Sequence, residues 1–205
     1  SIQPYHLVKK SYEQFSAIFN LMTVVGMNQF SSLSHHRQTL AFGPVTVMNK
    51  EDYVLTKGHK NAEHYIIEGF ALGQTFSKYE LPVSCYEGKG FVGFRMYEEG
   101  PKSLLQGWTK HFATGASGTE GTIMFMIMTW MMGIIFSHIL LLLSIVKKPV
   151  TKRWAGLAYF LYLFQFIRLH KRVGNFSILF LIMNPLLFMV FVLVFINSYR
   201  QTHFY

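Results

Sequence analysis

Up to about Gly121 the chain mixes short apolar stretches with polar positions and turn residues; beyond it, long apolar runs take over. The opening Ser1-Ile2-Gln3-Pro4-Tyr5 reads as a strand. Residues 11 to 30 form an apolar segment with polar interruptions, Asn20 and Asn28 among them. Its uninterrupted core is shorter than the ~20 residues that a membrane crossing needs, and asparagine is costly in hydrocarbon. The pattern predicts an amphipathic helix lying on a membrane face, with a buried helix of a soluble domain as the alternative. Residues 31 to 38 are a polar loop, and residues 41 to 48 read as a strand interrupted by the turn signal Gly43-Pro44. Asn49 is placed as the N-cap of a short helix that contains Asp52 and ends at Gly58. A second helix is predicted over residues 61 to 72, stopped by Gly73, with Tyr65, Ile66, Phe70 and Leu72 as its buried stripe. Residues 82 to 87 and 91 to 96 read as two strands joined by Gly88-Lys89-Gly90. A helix from Pro101, a favoured first helical residue, carries Leu104, Leu105, Trp108 and Phe112 on one face. Residues 1 to 121 therefore make a mixed α/β unit, too incomplete to close a sheet alone.

Residues 122 to 199 are read as a membrane region with helices near 122–146, 153–170 and 176–197. The first is long enough to cross a bilayer at 1.5 Å per residue, with His138 as its one ionisable group. The third carries Asn184-Pro185, which predicts a kink. The middle segment is marginal, because its apolar run is short and basic residues flank it on both sides. Lys147, Lys148, Lys152 and Arg153 precede it, and Arg168, Lys171 and Arg172 follow. Holding both basic loops in the cytoplasm suits a segment that dips or lies flat; a crossing would break the charge rule at one loop.

Composition sharpens this picture. Half of the residues are hydrophobic (51%) and only 14% are charged, against about 25% in an ordinary soluble domain. The formal charge of +9 is spread without a dense stripe on one helix face, which argues against a nucleic-acid partner. Basic clusters beside apolar segments fit anionic lipid headgroups instead. The single cysteine, Cys85, excludes an internal disulfide and a cysteine-based zinc site. The chain opens at Ser1 with no signal-peptide pattern, and the expectation is a piece of a longer protein.

One absence bears on chemistry. Asp52 is the sole aspartate, so no Asp-x-Asp pair exists to hold a divalent metal on a diphosphate. The chain has no phosphate-binding glycine loop and no nucleophile elbow. His35-His36 lack the further spaced ligands that a metal site requires.

Several motifs, in their order, resemble the membrane-bound family 2 glycosyltransferases. Ala41-Phe42-Gly43-Pro44 comes first, then a polar helix ending in Lys57-Gly58-His59. The acidic helix motif Ile66-Ile67-Glu68-Gly69-Phe70-Ala71-Leu72 follows, then Gln106-Gly107-Trp108-Thr109-Lys110 and the apolar segments. The resemblance covers essentially the whole chain and is closest to the carotenoid-glycosylating members of the staphyloxanthin pathway. It implies an α/β fold in which an incomplete GT-A-like catalytic domain (acceptor side) is followed by two or three C-terminal transmembrane helices. It also implies a multi-pass protein of the cell membrane with its catalytic domain in the cytoplasm. The implied reaction is inverting transfer of glucose from UDP-glucose to the carboxylate of an apolar carotenoid acid. A divalent metal, Mg or Mn, is expected for the intact enzyme and none in this portion, which is expected to be inactive alone.

The resemblance nominates site residues. Glu68 is the candidate functional carboxylate. Family members usually present Glu-Asp on this helix, the aspartate serving as base, and Gly69 stands at that position here. A hydroxyl acceptor needs a base because its proton leaves as the bond forms. A carboxylic acid is already ionised at neutral pH, so Gly69 suits an acid acceptor. Trp108 is read either as a stacking surface for substrate, with Gln106 and Lys110 bonding polar groups, or as an interfacial anchor before the first span. His59 and Gly43 are placed at the rim. The alternative to an enzyme is a non-enzymatic membrane protein or an inactive remnant.

Overall fold

The structure, a computed structural model, describes residues 1–31, 40–65, 67–117, 119–145 and 149–204. His35 and His36 lie outside these residues, as do Ile66, Val146, Lys147 and Lys148.

The first eight residues are the organising strand of the α/β part. β1 (Ile2–Gln3) pairs in parallel with β3 (Tyr86–Glu87), and β2 (Tyr5–His6) pairs in parallel with β4 (Gly93–Phe94). Isolated bridges join Ile2 to Val45 and His6 to Gly174. The two predicted strands around Gly88-Lys89-Gly90 are thus short and pair with the N-terminal segment, not with each other. Residues 41 to 48 do not form a strand beyond the bridge at Val45.

After a 3-10 turn at Ser11–Phe15, α1 (Ser16–Gly26) forms the centre of the molecule. The expected surface-lying helix is instead buried in protein: Ala17, Ile18, Phe19 and Leu21 are almost wholly enclosed. Its polar residues are satisfied there. The Gln3 side-chain amide donates to Asn20 Oδ1 at 3.1 Å, and Asn20 Nδ2 donates to the Val173 carbonyl at 3.3 Å. Asparagine is tolerated in this core because it bonds protein, not lipid.

α2 (Lys50–Leu55) follows Asn49 as predicted, although the Asn49 side chain makes no capping bond. α3 (Glu68–Lys78) starts where the predicted second helix was to finish and runs through Gly73. Tyr65 is consequently exposed, while Leu72 and Phe76 are buried. Gly69 and Gly73, one turn apart, let the 40–43 backbone lie directly on α3. A Cβ on Gly69 would meet Gly43 N at 2.6 Å, and one on Gly73 would meet Ala41 N at 2.7 Å. Gly73 is a packing residue, not a helix stop.

α4 (Pro101–Ser117) buries Leu104 and Trp108 and leaves Leu105 exposed. α5 (Gly121–Ser144) and α6 (Pro149–Val173) form an antiparallel hairpin. Trp130 donates to Gln165 Oε1 at 2.9 Å, Gly133 faces Tyr162, and His138 meets the Tyr159 ring edge-on at 4.9 Å. Partner numbers fall along α6 as they rise along α5, so the pairing extends along the helices. Among the described residues α5 alone is long and apolar enough to cross a membrane. α6 is longer than predicted, at 25 residues, but its charge-free stretch from 154 to 167 covers only about 21 Å. The predicted third span is broken at Asn184-Pro185 into α7 (Ile178–Ile182) and α8 (Asn184–Phe204). α8 packs on α4, where Ser198 Oγ donates to the Thr109 carbonyl, and does not extend the hairpin.

α1 contacts α4, α5, α6 and α8, so the α/β part and the apolar helices share one core. The 174–177 loop adds to the joint. Val8 N donates to Asn175 Oδ1 at 2.6 Å, Asn175 N donates to the His6 carbonyl at 3.1 Å, and Ser177 N donates to Gln14 Oε1 at 2.9 Å. Arg172 and Glu87 pair across the same boundary.

Candidate functional site

A cavity of about 700 Å³ lies where these elements meet, within the range of small-molecule sites. Its exposed end is built by loops of the α/β part. Gly43 and Pro44 come from the loop laid on α3, Glu68 is the first residue of α3, and His59 follows the turn after α2. Tyr53 fixes that histidine: its hydroxyl lies 3.0 Å from His59 Nδ1 and accepts from His59 N at 3.4 Å. The other end is apolar, walled by Ile127 and Met131 of α5 and by Phe191, Val192 and Phe195 of α8. α1 and the residue that follows it line the cavity between them through Met22, Thr23, Gly26 and Met27.

Five of the six residues nominated by resemblance line this one space: Gly43, His59, Glu68, Trp108 and Lys110. Gln106 does not; it lies on an exposed face of α4. Trp108 is 7% exposed, which removes the interfacial-anchor reading. Its indole N–H donates to Ser16 Oγ at 3.1 Å, and its ring stacks on Phe19 with centroids 5.2 Å apart and planes 17° apart. It is a rigid apolar wall whose polar edge is already engaged.

The structure gives Gly69 a second reason to be glycine. With Gly43 N at 2.6 Å, Gly43 Cα at 2.7 Å and the Ala41 carbonyl at 2.8 Å from the place of a Cβ, no aspartate fits unless the 41–43 backbone moves. The position that the resemblance matched to a base is packed by main chain.

Sequence reasoning missed the wall formed by Tyr97. This residue lines the cavity with a left-handed backbone, φ +58°, uncommon for a bulky side chain. Its ring sits in the notch left by Gly107 and meets Trp108 edge-on at 5.7 Å. Burial pushes its phenol up to about 12, so it is neutral at physiological pH. Its carbonyl accepts from the Tyr12 hydroxyl at 2.9 Å. The loop that carries it is held by Glu13, whose carboxylate is fully buried. Arg95 Nε and Nη2 donate to Glu13 Oε1 at 2.9 and 2.5 Å; Lys9 N and Lys10 N donate to Oε2 at 2.7 and 3.1 Å. Burial alone would raise this carboxyl, but the Arg95 and main-chain hydrogen bonds outweigh it and bring it to about 2. Six of the chain's eleven methionines line the cavity: Met22, Met27, Met96, Met124, Met128 and Met131. They come from distant parts of the sequence and meet only by packing, and methionine adapts its shape around apolar ligands.

Among the described residues no group of three or more His, Cys, Asp or Glu could hold a metal ion. Asp52 lies in the first turn of α2.

No protein-family model matches the chain, and no solved structure matches it. Curated relatives do. The chain is 60% identical over 205 residues to 4,4'-diaponeurosporenoate glycosyltransferase of Staphylococcus haemolyticus (strain JCSC1435). It is 55% identical over 206 residues to the proteins of the same name from Staphylococcus aureus strains USA300 and NCTC 8325 / PS 47. Each match takes in all of this chain and 55% of the relative, so the chain spans about half the length of the proteins it resembles. The likeness read from the motifs is consistent with a C-terminal portion of such a protein.

Proposed function

We propose that this chain is the acceptor-binding and membrane-anchoring portion of an inverting family 2 glycosyltransferase of carotenoid biosynthesis, which moves glucose from UDP-glucose to the carboxylate of a long apolar polyene acid. The observation that carries this reading is the single cavity joining Glu68, His59 and Lys110 to the apolar walls of α5 and α8. An acceptor that fits it is amphiphilic, with a polar head and a long apolar body.

An acid head is favoured over a hydroxyl. Gly69 leaves no room for a base, and a carboxylic acid with a pKa near 4 to 5 arrives already ionised. Lys110 is the one ammonium or guanidinium group among the described residues lining the cavity, and a cation favours a carboxylate. In the reaction a carboxylate oxygen bonds to the anomeric carbon, the bond from that carbon to the diphosphate oxygen breaks, and UDP leaves with the electron pair. The configuration inverts and the product is a glycosyl ester. Trp108 and Tyr97 confine the acceptor, Lys110 pairs with its carboxylate, and Glu68 and His59 border the incoming sugar. UDP-glucose and the divalent metal, Mg or Mn, belong to residues beyond this chain.

The membrane part of the proposal is a multi-pass attachment to the cell membrane with the α/β part on the cytoplasmic side, to which the apolar faces of α5 and α8 contribute. The exposed outer faces of α5 and α8 are apolar, with Phe136, Leu140, Leu193 and Ile196 facing out, as lipid contact requires.

The test is the full-length protein containing this sequence, in membranes, with UDP-glucose and a polyene acid or the matching polyene alcohol. The expected product is a base-labile glucosyl ester of the acid, with the alcohol left unmodified. Glucosylation of the alcohol in preference to the acid, or of neither, overturns the reading. The 205-residue chain alone is expected to consume no UDP-glucose.

A further inference from the structure

The helices around the cavity are organised as two pairs, α5 with α6 and α4 with α8, each also packed on α1. Among the described residues α5 and α8 do not form a packed pair of their own, although both line the cavity. Met128 on α5 and Val192 on α8 belong to the cavity wall and are also 52% and 47% exposed. Ile127, Met131 and Phe191, which line the same cavity on the same two helices, are buried. A side chain that is both lining and exposed marks an opening.

We infer that the gap between α5 and α8 is a lateral portal through which the apolar tail of the acceptor enters the cavity from the bilayer, with Met128 and Val192 as its two sides. This rests on the acceptor reading above. The surroundings identify the source of the tail. The outer surface beside the portal is apolar on both helices, with Phe125, Met126 and Met132 on α5 and Met189, Leu193 and Ile196 on α8 exposed. No charged residue occurs in α5, and none in α8 before Arg200. A solute in water meets no polar guide at this rim, whereas an acyl or polyene chain in lipid finds continuous apolar surface. Methionine suits such a position, because its unbranched thioether reshapes around a passing chain. The cavity volume also fits this route: about 700 Å³ accommodates a drug-sized ligand, so a longer body projects through the gap into lipid while its head stays at the Glu68 end.

The experiment uses the 205-residue chain in phosphatidylcholine nanodiscs, carrying Trp130→Phe and Trp154→Phe so that Trp108 is the only indole. Binding of a long conjugated tetraene fatty acid and of a short conjugated diene acid is read by quenching of Trp108. The paired substitutions Met128→Phe and Val192→Phe narrow the portal; Met126→Phe with Leu193→Phe puts the same two rings at exposed positions that do not line the cavity. The portal pair is expected to weaken the long acid about tenfold, the free-energy scale of overfilling a packed space, and to change the short acid less than twofold. The control pair is expected to change neither, and its thermal midpoint reports whether added bulk alone unfolds the chain. Undiminished binding of the long acid to the portal pair, or equal loss of both acids, overturns the portal while leaving the acceptor reading intact. Failure of the parent chain to bind either acid overturns the acceptor reading itself and the portal with it.

Discussion

Replacing Gly69 by alanine adds a single methyl group against backbone that cannot turn aside. The new carbon would lie 2.6 Å from Gly43 N, 2.7 Å from Gly43 Cα and 2.8 Å from the Ala41 carbonyl. Ordinary contact at a Cβ begins near 3.4 Å, so the 41–43 segment must retreat by several tenths of an ångström or more. Overfilling of this kind costs about 1–3 kcal/mol. At about 2–4 °C per kcal/mol for a protein of this size, the thermal midpoint should fall by roughly 2–12 °C. Gly115→Ala is the internal comparison. Its Cβ would meet only Ile67 Cδ1, at 3.4 Å, and a helical glycine replaced by alanine gains about 0.8–1 kcal/mol of propensity. Thermal scans of both variants in one detergent should therefore move in opposite directions, or Gly115→Ala should stay level. Gly69→Asp should fall further than Gly69→Ala. An unchanged or raised midpoint for Gly69→Ala would refute the packing argument, and with it the steric reason that this helix carries no base.

Other expectations follow from single contacts. Glu13 titrates at about 2 when folded against an ordinary 4.5; its stabilising contribution is complete above pH 4.5 and is lost as pH falls through 2. Urea midpoints should drop over that window in the parent chain, and Glu13→Gln should flatten this component. Trp108→Phe keeps the stack on Phe19 but strands the Ser16 hydroxyl, at a cost of about 1 kcal/mol; a thermal midpoint equal to the parent's would show that bond to be worthless. Gly133→Leu drives a side chain into Tyr162, where even a Cβ would lie 2.7 Å from the Tyr162 ring. It should separate α5 from α6 at about 1–3 kcal/mol, measured as increased proteolysis of the hairpin, and Tyr162→Ala should restore it.

What the sequence made legible was run length and breakers. The apolar stretch of α5, the helix from Pro101 and the interruption at Asn184-Pro185 are local properties, and the structure has them where the residues put them. Long-range pairing was not legible. The N-terminal segment finds its partners more than eighty residues away, at Tyr86 and Phe94, and no local pattern announces a parallel pair. The same limit misplaced α1: Asn20 looked incompatible with a buried membrane-level helix until Gln3 and the Val173 carbonyl supplied partners from both ends of the chain. Gly73 read as a helix stop because its reason, the main chain of residue 41 pressed against α3, is tertiary. Of the candidate site, motif likeness named Gly43, His59, Glu68, Trp108 and Lys110, which line the cavity. Tyr97 and the methionine wall of α5 escaped it, because apolar lining has no motif and is assembled only by packing.

The central claim is that an amphiphilic acid occupies the space between the α/β part and the α5–α8 gap. Photolabelling tests it most directly: a fatty acid with a diazirine midway along its tail, incubated with the chain in nanodiscs, irradiated, and mapped by peptide mass. The account predicts labels concentrated on Met124, Met128 and Met131 of α5 and on Val192 and Phe195 of α8, with competition by unlabelled polyene acid. Labels confined to the outer faces of the hairpin, such as Phe136, Leu140 and Phe160, and insensitive to competitor, would contradict it.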